Sequence, residues 1–514
     1  MGYEFILFMA VVGGALSFAA WFTVKWRARD QLPHPAAWGI ADSRLNVAGT
    51  GVLMGGVIYT AYTFLAAPGL AYAQGGFAFF TLVYTVLLIP VSFVVLPRLY
   101  QEYAARSALT SADYVRHRYG SHVLGLVVAL TGIVATMPYL ALQIVGLADI
   151  LSVLGVDFRD GSGFLVMAVL LTLCGIVTFH DGLRSISVLA MAKTFLLAAV
   201  TISLVGLVAV RAGAPGQVFS EAGDRLADRS LSLAVSPSMR PAYMTLAFGS
   251  ALAQLMYPQI YLSAFAARSK DTLRSAILLL PAWTALLGLF VSFGVAALAV
   301  GVHVPATNTD LVIPRLIDAL APDWLQALLL GGLAVALLVP MSAICVGISL
   351  LVVRNVYCEY FNPSATPKHE VRVARFSSIV VIAGAFSFAL ALAPQDAINL
   401  HLLGGIWILQ LFPAVALSLF TTWFHPYALL AGWAIGIGSG TGMSVWHGFH
   451  TIVDLGFGAH RIPVYVAVGA FAFNLTAAVL LTPVCNRWWP RRGTDAEQAG
   501  PPRRRGSRFA IRVH

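Results

Sequence analysis

One lysine lies inside an otherwise uncharged apolar run, SVLAMAKTFLLAAV, at Lys193. A charge at membrane depth is costly and by default marks a path for an ion, a proton or a solute. Two other runs put hydroxyl and amide side chains where a lipid-facing helix has no use for them. The first, GGVIYTAYTFLAAPG from Gly55 to Gly69, carries Tyr59, Thr60, Tyr62 and Thr63; the second, SALAQLMYPQ from Ser250, carries Gln254, Tyr257 and Gln259 around Pro258. Proline removes a backbone donor and crowds the turn before it, so breaks are expected at Pro68-Gly69 and around Pro258. Freed amides at a half-helix start attract an anion, and freed carbonyls attract a cation. Unwound backbone is tolerated in hydrocarbon only where it lines a cavity. The chemistry implied is binding and release of a small solute and an ion. No Walker loop, dinucleotide fingerprint, zinc motif or nucleophile elbow is present, so neither an enzyme nor a cofactor is expected. The competing reading makes each proline a plain kink whose polar neighbours bond to adjacent helices.

The elements that position these residues follow from composition. The 514 residues are 59% hydrophobic and 11% charged, with a mean hydropathy of +0.82. Soluble domains carry roughly a quarter charged residues, so this is an all-α polytopic membrane protein. Thirteen runs are long enough to cross roughly 30 Å of hydrocarbon: 4–24, 47–73, 78–97, 122–154, 163–180, 187–210, 242–267, 275–301, 323–353, 373–393, 398–420, 427–447 and 462–484. The two polar, proline-bearing runs are the second and seventh, five spans apart, the pattern of an inverted-repeat transporter. With the N-terminus outside, 24 of the 32 Lys and Arg fall on the cytoplasmic side and seven outside. That is the positive-inside bias, so the net charge of +10 implies no nucleic acid. The first run lacks a basic start and reads as a retained helix. The tail 485–514 reads as disordered and polybasic, near anionic lipid. Cys174, Cys345, Cys358 and Cys485 are expected to stay reduced.

From Gly51 to about Arg487 the chain resembles the sodium/solute symporter family, in its monocarboxylate permease branch. The motifs that carry the resemblance are YTAYTF with APG, SADYVRHRYGS, ATMPYLALQIVG, SALAQLMYPQ, PDWLQALLLGGLAVALLVPMS, VRNVYCEY, GGIWILQLFPA and FHPYALLAGWAIG. The resemblance implies a LeuT-type fold and cation-coupled uptake by alternating access. Its parts are an N-terminal helix and loop (1–46), a five-helix repeat (47–210), an outer loop (211–241) and a second repeat (242–420). Two extra helices (421–484) and the tail follow. Sodium-coupled relatives bind the ion through carbonyls of the first repeat helix, here around Gly56 and Tyr59, and through two adjacent hydroxyls. Those hydroxyls lie eighteen residues before the Tyr of an Asp-x-Tyr; here Asn355-Val356-Tyr357 stands there, so the pair falls on Val339-Pro340. Neither offers the oxygen a hard cation needs, and the nearest hydroxyl is Ser342. The family's Asp falls on Ala190 and its Gln on Lys193. Two readings of Lys193 stand: its ammonium replaces sodium and exchanges a proton, or its long stem snorkels to the interface.

The lining expected for the solute is Tyr59, Thr60 and Thr63 from the second span and Tyr139 and Gln143 from the fourth. Gln254, Tyr257 and Gln259 from the seventh and Gln410 from the eleventh complete it. No intramembrane arginine can clamp a carboxylate, so an anion would rely on amides, Gln and Tyr donors and Lys193. Asp149 is a weaker proton-site candidate near the outer end of its span. His447, His450 and His460 form no metal-ligand spacing. A channel would need a filter or charge ring, and a sensor would need a signalling domain larger than the tail. The partners expected are a small-molecule substrate and the lipid bilayer of the plasma membrane, the C-terminus cytoplasmic. Lactate, pyruvate, propionate, acetate and small amino acids all stay open as substrates, as do sodium or proton as coupling ion and the oligomeric state.

Overall fold

A computed structural model describes residues 2–27, 35–106, 108–158, 160–391, 397–457 and 460–490. The chain is helical almost throughout, as its hydropathy requires. Among the described residues eleven helices are long and apolar enough to cross a membrane. The two expected spans that fail this test are the second and the seventh, because each is broken into shorter pieces. The second comprises Val47–Ile58, a wide turn over Tyr62–Ala66 and Ala67–Gln74. The seventh comprises Arg240–Met256 and Pro258–Phe265.

The two breaks have different causes. Tyr257 is extended (φ −69°, ψ 137°), as a residue before proline is pushed to be, and Pro258 then opens the next half-helix at no cost in hydrogen bonds. The second span does not break at Pro68-Gly69 as expected. It opens at Tyr59–Ala61, where Tyr59 is extended (φ −94°, ψ 111°), and Pro68 sits where the wide turn Tyr62–Ala66 passes into Ala67–Gln74 without a break. Gly69 answers to packing instead: a side-chain carbon there would lie 2.5 Å from the carbonyl oxygen of Thr309.

The remaining spans follow the expected order. The fourth is His122–Val153, the sixth Leu183–Ala212, the eighth Leu280–Val300 and the ninth Asp323–Val352. The eleventh begins as Ala397–Ile408 and continues as short turns, and the last is Val466–Trp488. That helix starts later than position 462, because residues 460–465 instead form an antiparallel hairpin with Ile452–Phe457. The ninth span is buried along nearly its whole length and forms the axis of the bundle. Connecting segments collect at two ends. One end holds the Arg184–Asp42 pair, Arg116–Glu359 at 2.7 Å and Arg354–Asp113 at 3.4 Å. The opposite end joins Tyr72 to the Val302 carbonyl (2.9 Å) and Asn308 to Asp149 (2.7 Å). The basic tail expected from 485 begins inside the last helix, and its residues 491–514 lie outside the described residues.

Candidate functional site

The opened turn of the second span leaves backbone groups that side chains must satisfy. The Ala61 N–H donates to Gln143 Oε1 (3.0 Å), and Gln143 is held in turn by its bond to the Tyr139 carbonyl (3.1 Å). Thr63 Oγ1 accepts from the Thr60 N–H and Thr60 Oγ1 from the Tyr62 N–H, each at 3.3 Å. Gln143, Thr60 and Thr63 therefore hold the break open rather than projecting into free space.

The carbonyls of the same turn face the sixth span. Lys193 Nζ donates to the Gly56 oxygen at 2.8 Å and to the Tyr59 oxygen at 2.5 Å. Lys193 is eleven residues into its helix and its exposure is 0%, so the snorkelling reading does not hold. The Phe64 ring lies 5.1 Å and the Trp283 ring 5.9 Å from the nitrogen, close enough for weak cation–π attraction. A side-chain carbon at Gly56 would stand 3.0 Å from the Ala190 methyl and 3.3 Å from Val339 Cγ1. Ala190 and Val339 thus flank the carbonyl-bearing turn, at the positions where an Asp and a hydroxyl were expected. Ser342 is not with them: its hydroxyl pairs with Cys174 Sγ at 2.9 Å. The Gly56 and Tyr59 carbonyls are both taken up by the Lys193 nitrogen.

A second polar group lies where the two breaks meet. A small cavity is lined by Tyr62, Tyr84, Ser250, Gln254, Tyr257 and His401, among others. Ser250 Oγ, Gln254 Nε2, Tyr257 OH and His401 Nδ1 are all buried and have no hydrogen-bond partner. Unpaired buried polar atoms are uncommon in native proteins and call for an explanation; four around one cavity point to a polar occupant. The space measures ≈ 10 Å³, at the threshold for one water. Tyr139 adjoins the group as well, its ring 5.0 Å from that of Tyr257.

Other expected lining residues point elsewhere. The Tyr59 hydroxyl pairs with Thr284 (2.7 Å) and its ring stacks on Trp283. Gln259 is buried beside Gly347 of the ninth span, with both side-chain polar atoms unpartnered. Gln410 bonds to the Ile406 carbonyl and to Asn474 of the last span, because Asn474 offers it a complete set of partners away from the cavity. Lys193 is spent on its carbonyls, so it is not the anion partner. His401 was missed. A lone histidine is a weaker signal in an apolar run than a lysine.

Comparison with known proteins agrees with this arrangement. The chain is 36% identical over 479 residues, 93% of this chain and 95% of the relative, to a monocarboxylate transport permease protein of Rhizobium johnstonii (strain DSM 114642 / LMG 32736 / 3841). It is 29% identical over 457 residues, 87% of each chain, to the uncharacterized symporter YodF of Bacillus subtilis (strain 168). Its fold superposes on a Na+-coupled sialic acid symporter solved in a substrate-bound outward-open state (TM-score 0.75, 15% identity, 94% of this chain and 98% of that one). A weaker likeness (TM-score 0.52, 14% identity, 89% and 95%) joins it to a nucleobase-cation-symport-1 family transporter in a closed conformation. The fold is thus the LeuT-type one that the two broken spans imply. A family model described as "Sodium:solute symporter family" matches residues 40–436, and with both breaks in place and a relative at this identity along its whole length, the chain belongs to the sodium:solute symporter family.

Proposed function

We propose that this symporter takes up a small monocarboxylate such as lactate, pyruvate, propionate or acetate across the plasma membrane, and that protons rather than sodium drive it. The observation that carries the proposal is Lys193, whose nitrogen sits on the Gly56 and Tyr59 carbonyls while the apolar Ala190 and Val339 flank the same turn. A charged lysine ties the second-span break to the sixth span. Loss of its proton removes the charge that strengthens both bonds and frees the half-helices to rock, which is the motion alternating access needs. The substrate class is supported by the orphaned donors around the central cavity and by the printed name of the Rhizobium relative. Tyr139, Gln254 and Tyr257 are assigned to the solute. Gln143, Thr60 and Thr63 are assigned to holding the break. The basic end is assigned to the cytoplasm, a reading that the charge bias supports.

The test is accumulation of labelled monocarboxylates by proteoliposomes holding the full chain. Concentration of the label above its external level is expected. Equilibration without accumulation would indicate a channel, and no flux of any monocarboxylate would overturn the substrate assignment.

A further inference from the structure

Within the central cavity the titratable lining groups are Tyr62, Tyr84, Tyr257, Tyr465 and His401, and of these only His401 can carry positive charge. It stands one turn into the eleventh span, 8% exposed. Three tyrosine rings fix its plane: Tyr139 at 4.4 Å, Tyr62 at 4.7 Å and Tyr257 at 6.3 Å between centroids, the last nearly parallel at 18°. Its Nδ1 has no partner and shares the cavity with the unpartnered Gln254 Nε2 and the Tyr257 and Ser250 hydroxyls. Every one of these groups can donate a hydrogen bond, while among the described residues no carboxylate lines the cavity. Such a wall satisfies an anion and leaves an ammonium without a counter-charge. Ala253 and Leu402 supply the apolar part.

Resting on the reading of this cavity as the solute site, we propose that His401 recognises the substrate carboxylate. It donates through Nδ1–H beside Gln254 and Tyr257, and it makes the transporter select short monocarboxylates over their amides and over zwitterionic amino acids. The arrangement gives a job to an expensive buried polar side chain that neither the second-span break nor the lysine site uses.

The experiment measures equilibrium binding of radiolabelled lactate to the purified full chain in lipid nanodiscs, with propionate, propionamide and alanine as competitors. In the unaltered protein propionate should compete at least about ten-fold better than propionamide or alanine, the scale of one hydrogen bond to a charged group. His401→Phe should weaken lactate about ten-fold or more and erase the preference for propionate over its amide. His401→Asn, which keeps a donor, should recover part of both. Tyr257→Phe keeps the ring and removes one donor, so it should weaken lactate several-fold without altering assembly, which keeps the proposal testable if position 401 tolerates no change. Unchanged affinity and selectivity in His401→Phe overturn the inference alone, as does full affinity in Tyr257→Phe if no His401 variant folds. Failure of the unaltered protein to bind any of these monocarboxylates overturns the substrate reading and this inference with it.

Discussion

Replacing Lys193 by methionine keeps an unbranched side chain one atom shorter and removes every donor. Two carbonyls, those of Gly56 and Tyr59, then stay buried without their partner. A hydrogen bond from a charged donor contributes roughly 1.5–3 kcal/mol, and a buried acceptor left unmet costs about 1–3 kcal/mol. Two such groups put the loss at about 2–6 kcal/mol, against a total stability on the order of 5–15 kcal/mol for a typical domain. Thermal unfolding in detergent, followed by tryptophan fluorescence, should show a clear fall in midpoint. Trp283 is a local reporter, since its ring stacks on Tyr59 at 5.7 Å. The variant should also lose coupled accumulation. A companion variant restores the oxygens: Lys193→Gln with Ala190→Asp, Val339→Ser and Pro340→Ser. Sodium should raise its melting midpoint, and choline should not. An unchanged midpoint in Lys193→Met would refute the reasoning that the ammonium holds the break.

Three further outcomes follow from the same structure. Gln143→Ala leaves the Ala61 N–H unpaired and should destabilise the protein by about 1–3 kcal/mol, read as a lower unfolding midpoint, while Gln410→Ala should leave lactate affinity unchanged. Asp310, in the loop packed over Gly69, has its carboxyl pushed up by burial. The folded loop therefore keeps a proton that the unfolded chain loses, so its stabilisation is complete below about pH 4 and is lost as pH rises through the raised folded value. Hydrogen exchange across 305–315 should be faster at pH 8 than at pH 5 after correction for intrinsic rates, and Asp310→Asn should flatten that difference. Single cysteines introduced at Ala214 and Ala365 should label from opposite faces of the membrane, and labelling of both from one face would contradict the span order.

Much of this site was legible in the sequence because membrane burial makes polar residues conspicuous. Lys193 and the Gln254–Tyr257 pair stood out as expensive groups in apolar runs, and the register from Tyr357 to Val339 placed that residue beside the Gly56 turn before any coordinates. The break in the second span was misplaced because Pro68 is more visible than the real cause. That cause is a set of side-chain bonds from Gln143, Thr60 and Thr63 to Ala61, Tyr62 and Thr60, and only tertiary structure brings Gln143 to Ala61. Ser342 and Gln410 turn elsewhere for the same reason: each has a partner distant in sequence, Cys174 and Asn474, that no spacing rule reveals. His401 was overlooked because one histidine costs a hydropathy window little. The hairpin at 452–465 was taken in part for helix, since a short apolar run such as RIPVY does not by itself distinguish strand from helix.

The central claim is that an ammonium has taken the place of the driving ion. Its most direct test is lactate accumulation by proteoliposomes holding the unaltered chain, with an inward proton gradient or an inward sodium gradient imposed separately at matched membrane potential. Accumulation is expected with the proton gradient in choline medium, abolished by a protonophore and unaffected by sodium. Saturable stimulation by sodium at equal pH on both sides would contradict it.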